Sequence, residues 1–256
     1  MKLIIVCIIA GMGAGLGTGF AGMSAAAVIS PMLITFLEMD PYEAIGIALA
    51  SDVLASAVSA YTYGKNKNID LKNSKSLFIS VIIFTGIGAF ISHLMPTTTI
   101  GNLSVFGSFF LGLNFLYKST QVNPKKITYN LNVKAMKLLP ILCGSIIGFI
   151  CGFIGAGGGM MMLLLLTTVL GYELKIAVGT SVFIMTFTAL YGATSHFVLS
   201  NIFPDFTTLI LCILSTLFFA RVGACYANIA NEQQLNRSVG LILTILGIVM
   251  ISVNYL

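Results

Sequence analysis

Two glycine clusters hold the backbone chemistry available to this chain. Gly19-Phe20-Ala21-Gly22-Met23-Ser24 and Gly152-Phe153-Ile154-Gly155-Ala156-Gly157-Gly158-Gly159 show no side-chain periodicity, and a run so rich in glycine does not sustain a helix. Helices resuming near Ser24 and Met160 would begin with unsatisfied N–H groups and the positive ends of their dipoles. Such ends attract anions. Phe20, Ala21, Gly22, Met23 and Ser24, with Gly155, Ala156, Gly157, Gly158 and Gly159, are therefore the candidate substrate-binding positions. Thr180 and Ser181 add hydroxyls suited to an oxyanion, although such groups in helices also bond back to their own backbone.

Asp52 is the second chemical feature. It lies near the middle of the apolar run 44–63, where a carboxylate costs about 2.5–3.5 kcal/mol on insertion scales. Helical spacing puts Ser56, Ser59 and Tyr63 on its face. A permanently charged Asp52 would repel a bound anion, so a functional Asp52 would exchange a proton. The alternative is a neutral, hydrogen-bonded structural residue.

Other chemistries lack their residues. Cys7, Cys143, Cys151, Cys212 and Cys225 all sit in apolar runs with no C-x-x-C pair, and read as small hydrophobes. No His/Cys/Asp cluster has metal-ligand spacing, so neither a metal nor a cofactor is expected. His93 and His196 read as interfacial polar residues. Gly17-Thr18-Gly19-Phe20-Ala21-Gly22 matches G-x-G-x-x-G but has no βαβ context, and neither cluster leads into a P-loop Lys. With no H-E-x-x-H and no recognisable nucleophile turn, an enzyme is not expected.

The elements that must position these groups are membrane helices. Only 8% of the 256 residues are charged and 57% are apolar, with a mean hydropathy of +1.01. Soluble domains carry about 25% charge, so a soluble fold is excluded. Apolar stretches run 3–37, 44–63, 77–95, 98–117, 138–170, 176–199, 206–227 and 238–255. The first and fifth would reach about 50 Å as single helices, against a hydrocarbon core of about 30 Å. Both contain a glycine cluster, and both are read as hairpins that enter and leave on one side. Within them, Gly11, Gly15 and Gly19, and Gly144, Gly148 and Gly152, form stripes suited to close helix packing.

Shifting the chain by 133 residues lays the second half on the first without a gap. Gly11, Gly15, Gly19, Phe20 and Gly22 fall on Gly144, Gly148, Gly152, Phe153 and Gly155, and Asn68-Ile69 on Asn201-Ile202. The loops 64–76 and 118–137 are Lys-rich and therefore cytoplasmic. The counterpart of the first, 197–209, has no Lys or Arg and carries Asp205, so it reads as external together with Glu38, Asp40 and Glu43. The repeats are thus expected to be inverted, and of the 13 basic residues only Lys2 lies outside. The pI of about 9.0 then reports cytoplasmic loops and implies no nucleic-acid partner.

The expected fold is an all-α polytopic membrane protein of two inverted repeats, each a Gly-rich broken or re-entrant hairpin plus three transmembrane helices. Residues 1–117 form the first repeat, 118–137 a basic cytoplasmic linker and 138–256 the second repeat. Inverted repeats with broken helices at their interface are a construction of secondary transporters.

The repeated G-F-x-G hairpin, Gly155-Ala156-Gly157-Gly158-Gly159, Gly179-Thr180-Ser181 and the basic central loop together resemble the sulfite exporter TauE/SafE family, also known as the toluene-sulfonate uptake permease family. The resemblance covers nearly the whole chain. Met23-Ser24-Ala25-Ala26 and Ile47-Ala48 depart from the glycines and Thr-Ser common there, which makes the first half-site the less polar. The resemblance implies ATP-independent transport of sulfite, organosulfonates or related sulfur oxyanions, and of some organic acids. The expected setting is a bacterial cytoplasmic membrane, with a small anion and the bilayer as partners and a homo-oligomer left open. The expected protein is a secondary transporter or facilitator, with Asp52 as the candidate proton-coupling residue and the coupling ion left open. A non-transporting membrane scaffold, or a carrier of an unrelated organic acid, is the competing reading.

Overall fold

The computed structural model describes residues 1–119, 133–155, 158–200, 203–227 and 232–255, and every regular element among them is helical. In chain order these are α1 (Lys2–Ala21), α2 (Ala26–Leu37), α3 (Pro41–Lys65), α4 (Lys75–His93), α5 (Thr97–Ser119), α6 (Val133–Ile154), α7 (Gly158–Leu164), α8 (Leu174–Ser200), α9 (Phe206–Ala227) and α10 (Glu232–Tyr255). A π-helical turn, Leu165–Val169, prolongs α7. Among the described residues, α1, α3, α4, α8 and α9 are long and apolar enough to cross a bilayer. The protein is a multi-pass membrane protein.

Both long apolar stretches break at their glycine clusters. α1 ends at Gly22, whose φ of 62° is left-handed. The Gly22 N–H bonds to the Thr18 carbonyl at 2.9 Å, the closure of a helix capped by a left-handed glycine, and the Met23 N–H bonds to the Gly17 carbonyl at 3.4 Å. α6 ends the same way at Gly155, with φ 75° and its N–H on the Cys151 carbonyl at 2.9 Å. A side chain at either position would strain the backbone. Each hairpin therefore pairs a long helix with a short one.

Local chemistry sets the other boundaries. Asp40 caps α3 by accepting from the Tyr42 and Glu43 N–H groups, with Pro41 at the first helical position. Asp205 caps α9 by accepting from the Thr208 hydroxyl and from the Thr207 and Thr208 N–H groups. These donors, the Thr208 hydroxyl foremost, hold the Asp205 carboxyl below the usual carboxylate range. Pro31 leaves the Ala27 carbonyl of α2 without its helical donor. The Ser108 hydroxyl of α5 supplies one at 2.5 Å, which offsets the roughly 1–3 kcal/mol cost of an unpaired buried carbonyl.

The glycine stripes are packing surfaces. α1 lies along α9 and α6 along α4, so each hairpin seats on a helix from the other half of the chain. A methyl group at Gly15 would lie 2.8 Å from the Ala220 nitrogen, and one at Gly152 2.9 Å from the Ala89 nitrogen. Only glycine lets these backbones touch. Gly11, Gly15 and Gly19 meet Ser215, Thr216 and Ala220, while Gly144, Gly148 and Gly152 meet Ser80, Val81 and Thr85. The facing residues are thus related by a shift of 135, two more than the hairpins. The gapless register expected from the sequence ends before α4 and α9.

α3 and α8 pack side by side and run antiparallel. At one end the Asp205 N–H, just past α8, donates to Glu43 Oε1 in the first turn of α3 at 2.9 Å. At the other, the Asp70 N–H, just past α3, donates to Thr180 Oγ1 near the start of α8 at 3.0 Å. Tyr42 Oη donates to the Ser92 and Met95 carbonyls, so the 92–96 turn shares the end with 38–43 and 203–205. Outward stripes such as Ile79, Ile83, Ile87 and Phe90 on α4 and Ile210, Leu214, Phe218 and Val222 on α9 stay exposed, as lipid-facing surfaces do. α5 and α10 pair with each other.

Candidate functional site

Asp52 lies midway along α3 and is fully buried, as are Ser56 and Ser59 on its face, with Tyr63 2% exposed. Its Oδ1 accepts from Ser56 Oγ at 2.9 Å, and its Oδ2 from Ser24 Oγ at 2.7 Å. The Ala25 backbone N–H is directed at it as well. Ala25 is the residue preceding α2. A carboxylate of the protein itself therefore stands beside the start of the resumed helix. No ion pair to Asp52 exists among the described residues.

The second break closes on the first. The Gly155 carbonyl lies 3.5 Å from Ser24 Oγ. A methyl group on Gly159 would touch the Gly22 carbonyl and lie 3.1 Å from the Ser24 nitrogen. On the other side Gly158 opens α7, where a methyl group would lie 3.0 Å from Cys151 Sγ and 3.3 Å from Met185 Sδ. Ser181 Oγ donates to the Val178 carbonyl and is pressed against Gly22. Phe20 is half-buried against the Tyr226 ring at 5.7 Å, and Met23 packs onto Gly17.

The structure thus gathers Gly22, Ser24, Asp52, Gly155, Gly158, Gly159 and Ser181 into one region. Ala156 and Gly157 lie outside the described residues, and of Ala21 only the backbone is described. Thr180 turns toward the loop after α3, where it holds the Asp70 N–H. That loop is braced by Asp70 itself, whose carboxyl is kept below its usual range first by the Asn73 amide.

Four contributors were not apparent from residue type. Cys151, expected to be a plain core residue, walls Gly158 and lies within electrostatic reach of Asp52. Met185 touches Gly158 from α8. Tyr63 Oη donates to the Gly19 carbonyl at 3.3 Å, and His196 Nε2 meets the Gly152 carbonyl at 2.9 Å. These carbonyls belong to the last turns of α1 and α6, where helices lack internal donors. His196 is only 2% exposed, which corrects its reading as an interfacial residue. The signal was available in the 133-residue shift, which pairs Tyr63 with His196, Gly19 with Gly152 and Asp52 with Met185.

The profile of the sulfite exporter TauE/SafE family matches residues 7–250. Three relatives are each described as a probable membrane transporter protein. YdhB of Bacillus subtilis (strain 168) is 22% identical over 93% of this chain and 96% of its own. YunE of the same organism is 24% identical over 77% and 80%. MJ0441 of Methanocaldococcus jannaschii is 26% identical over 77% and 73%. No solved structure matches. With a family match over nearly its full length and two helix breaks meeting at a buried carboxylate, the chain belongs to the TauE/SafE sulfite exporter family of membrane transporters.

Proposed function

We propose that this protein is a secondary transporter of a small anion, in the class of sulfite, organosulfonates and related sulfur oxyanions. The anion sits at mid-membrane between Phe20–Ser24 and Gly155–Gly159, held largely by backbone N–H groups, with Ser181 at its edge. The halves are inverted repeats, and a proton exchanged at Asp52 accompanies the anion. The observation that carries this reading is the meeting of the two breaks, with Gly159 against Gly22 and Ser24 beside buried Asp52. The antiparallel course of α3 and α8 supports inversion, as does the reciprocal seating of α1 on α9 and α6 on α4. Broken helices at a repeat interface serve secondary transporters in this way.

Purified protein in liposomes tests the reading with labelled sulfite, methanesulfonate and acetate under imposed pH gradients. Uptake of a sulfur oxyanion above protein-free liposomes, enhanced by an inward proton gradient, is expected. Uptake of acetate alone would move the assignment to organic acids. Failure of all three would favour a membrane scaffold.

A further inference from the structure

The two resumed helices are not equivalent at their N-termini. In the first half a carboxylate from α3 stands beside the start of α2, held by Ser24 Oγ and, on its other oxygen, by Ser56 Oγ. In the second half the corresponding residue of α8 is Met185, which lays a thioether against Gly158. Ser24 and Ser56 correspond to Gly157 and Ala189, so the second half lacks the hydroxyls as well, which reverses the expectation of a less polar first half-site. One half of the site carries its own anion and the other does not.

We propose that the Asp52 carboxylate is a tethered competitor of the transported anion. Deprotonated, it holds the Ser24 hydroxyl at the start of α2 and keeps a second anion from that place. Protonated, it becomes a weaker ligand for the same hydroxyl and yields it, so the anion bridges both breaks. The proton and the anion then bind together because the proton removes the competitor. This inference rests on the anion-transport reading and supplies its coupling mechanism.

The surroundings suit such an exchange. Ser24 Oγ, which holds Asp52 Oδ2, also lies 3.5 Å from the Gly155 carbonyl, so release of the carboxyl frees a hydroxyl at the contact between the breaks. Among the described residues the Cys151 thiol of α6 is a titratable group within electrostatic reach of Asp52. From the α1–α2 turn and α3 come the Ser24 and Ser56 hydroxyls. α7 contributes glycine, and α8 brings Met185 and Ser181. Among the described residues no Lys, Arg or His forms an ion pair with Asp52, and its carboxyl is held by the Ser24 and Ser56 hydroxyls.

Methanesulfonate is a suitable probe, because its own charge is fixed across the accessible pH range. Binding to the purified protein should weaken about tenfold for each pH unit above the Asp52 titration, since only the competitor-free fraction binds. Each anion bound in alkaline solution should take up one proton from a weakly buffered medium. Asp52→Asn should bind independently of pH and more tightly than the parent in alkaline solution, with no proton uptake. The proton count is read on the unmodified protein, so it does not depend on how the variant folds. If the parent binds methanesulfonate without pH dependence or proton uptake, the competitor mechanism is wrong while the anion reading stands. If the parent binds none at any pH, both fall.

Discussion

Gly158→Val is expected to reduce transport to the level of protein-free liposomes while leaving membrane insertion intact. Gly158 opens α7 at the meeting of the two breaks, and even a methyl group there would lie 3.0 Å from Cys151 Cβ and Sγ and 3.3 Å from Met185 Sδ. The larger isopropyl group must then project into the space assigned to the anion. Gly107→Ala in α5, where nothing lies within 4 Å of the added carbon, should transport normally and serves as the control. Combining Gly158→Val with Cys151→Ala separates packing from occupancy. Recovery of transport in that double variant would mean that the loss came from the crowded wall. Normal kinetics in Gly158→Val itself would refute the placement of the site.

Asp52→Asn should keep substrate exchange yet lose net uphill transport on a pH gradient. The amide preserves the shape of the carboxyl and can still accept from Ser24 or Ser56, both at ordinary hydrogen-bond distances now. It cannot carry a proton. Counterflow of labelled against unlabelled anion should therefore persist, whereas accumulation driven by an inward proton gradient should vanish. A variant that concentrates the anion as well as the parent would make Asp52 a structural residue.

Much of this architecture was legible because membrane helices leave coarse, physical marks. The excess length of 3–37 and 138–170 demanded breaks, and the loss of periodicity at Gly19–Ser24 and Gly152–Gly159 located them. The face Asp52, Ser56, Ser59 and Tyr63 followed from helical spacing, and all four are buried. The tertiary partners were not legible. Nothing in the type of Asp52 says that it will reach the N-terminus of α2 from α3. His196 looked interfacial because it lies near the end of an apolar run, yet it is drawn inside by the Gly152 carbonyl that the broken α6 leaves free. Thr180 looked like an oxyanion donor, and its oxygen instead receives the Asp70 N–H. The π-helical turn at Leu165–Val169, closed by the Leu170 N–H on the Leu165 carbonyl at 3.0 Å, has no compositional signature in a run of leucines and threonines. The two-residue slip between α4 and α9 emerged only from which residues face the glycine stripes.

The central claim is that the two halves insert in opposite senses, so that two helix N-termini would reach the same depth. Single cysteines in a cysteine-free background test it most directly. Lys67 lies in the exposed loop after α3, and Phe203, 88% exposed, lies just before α9. In intact cells a membrane-impermeant maleimide should label Phe203→Cys and leave Lys67→Cys untouched until the membrane is opened. Labelling of Phe203→Cys only from the cytoplasmic side would contradict the inverted arrangement and the site built on it.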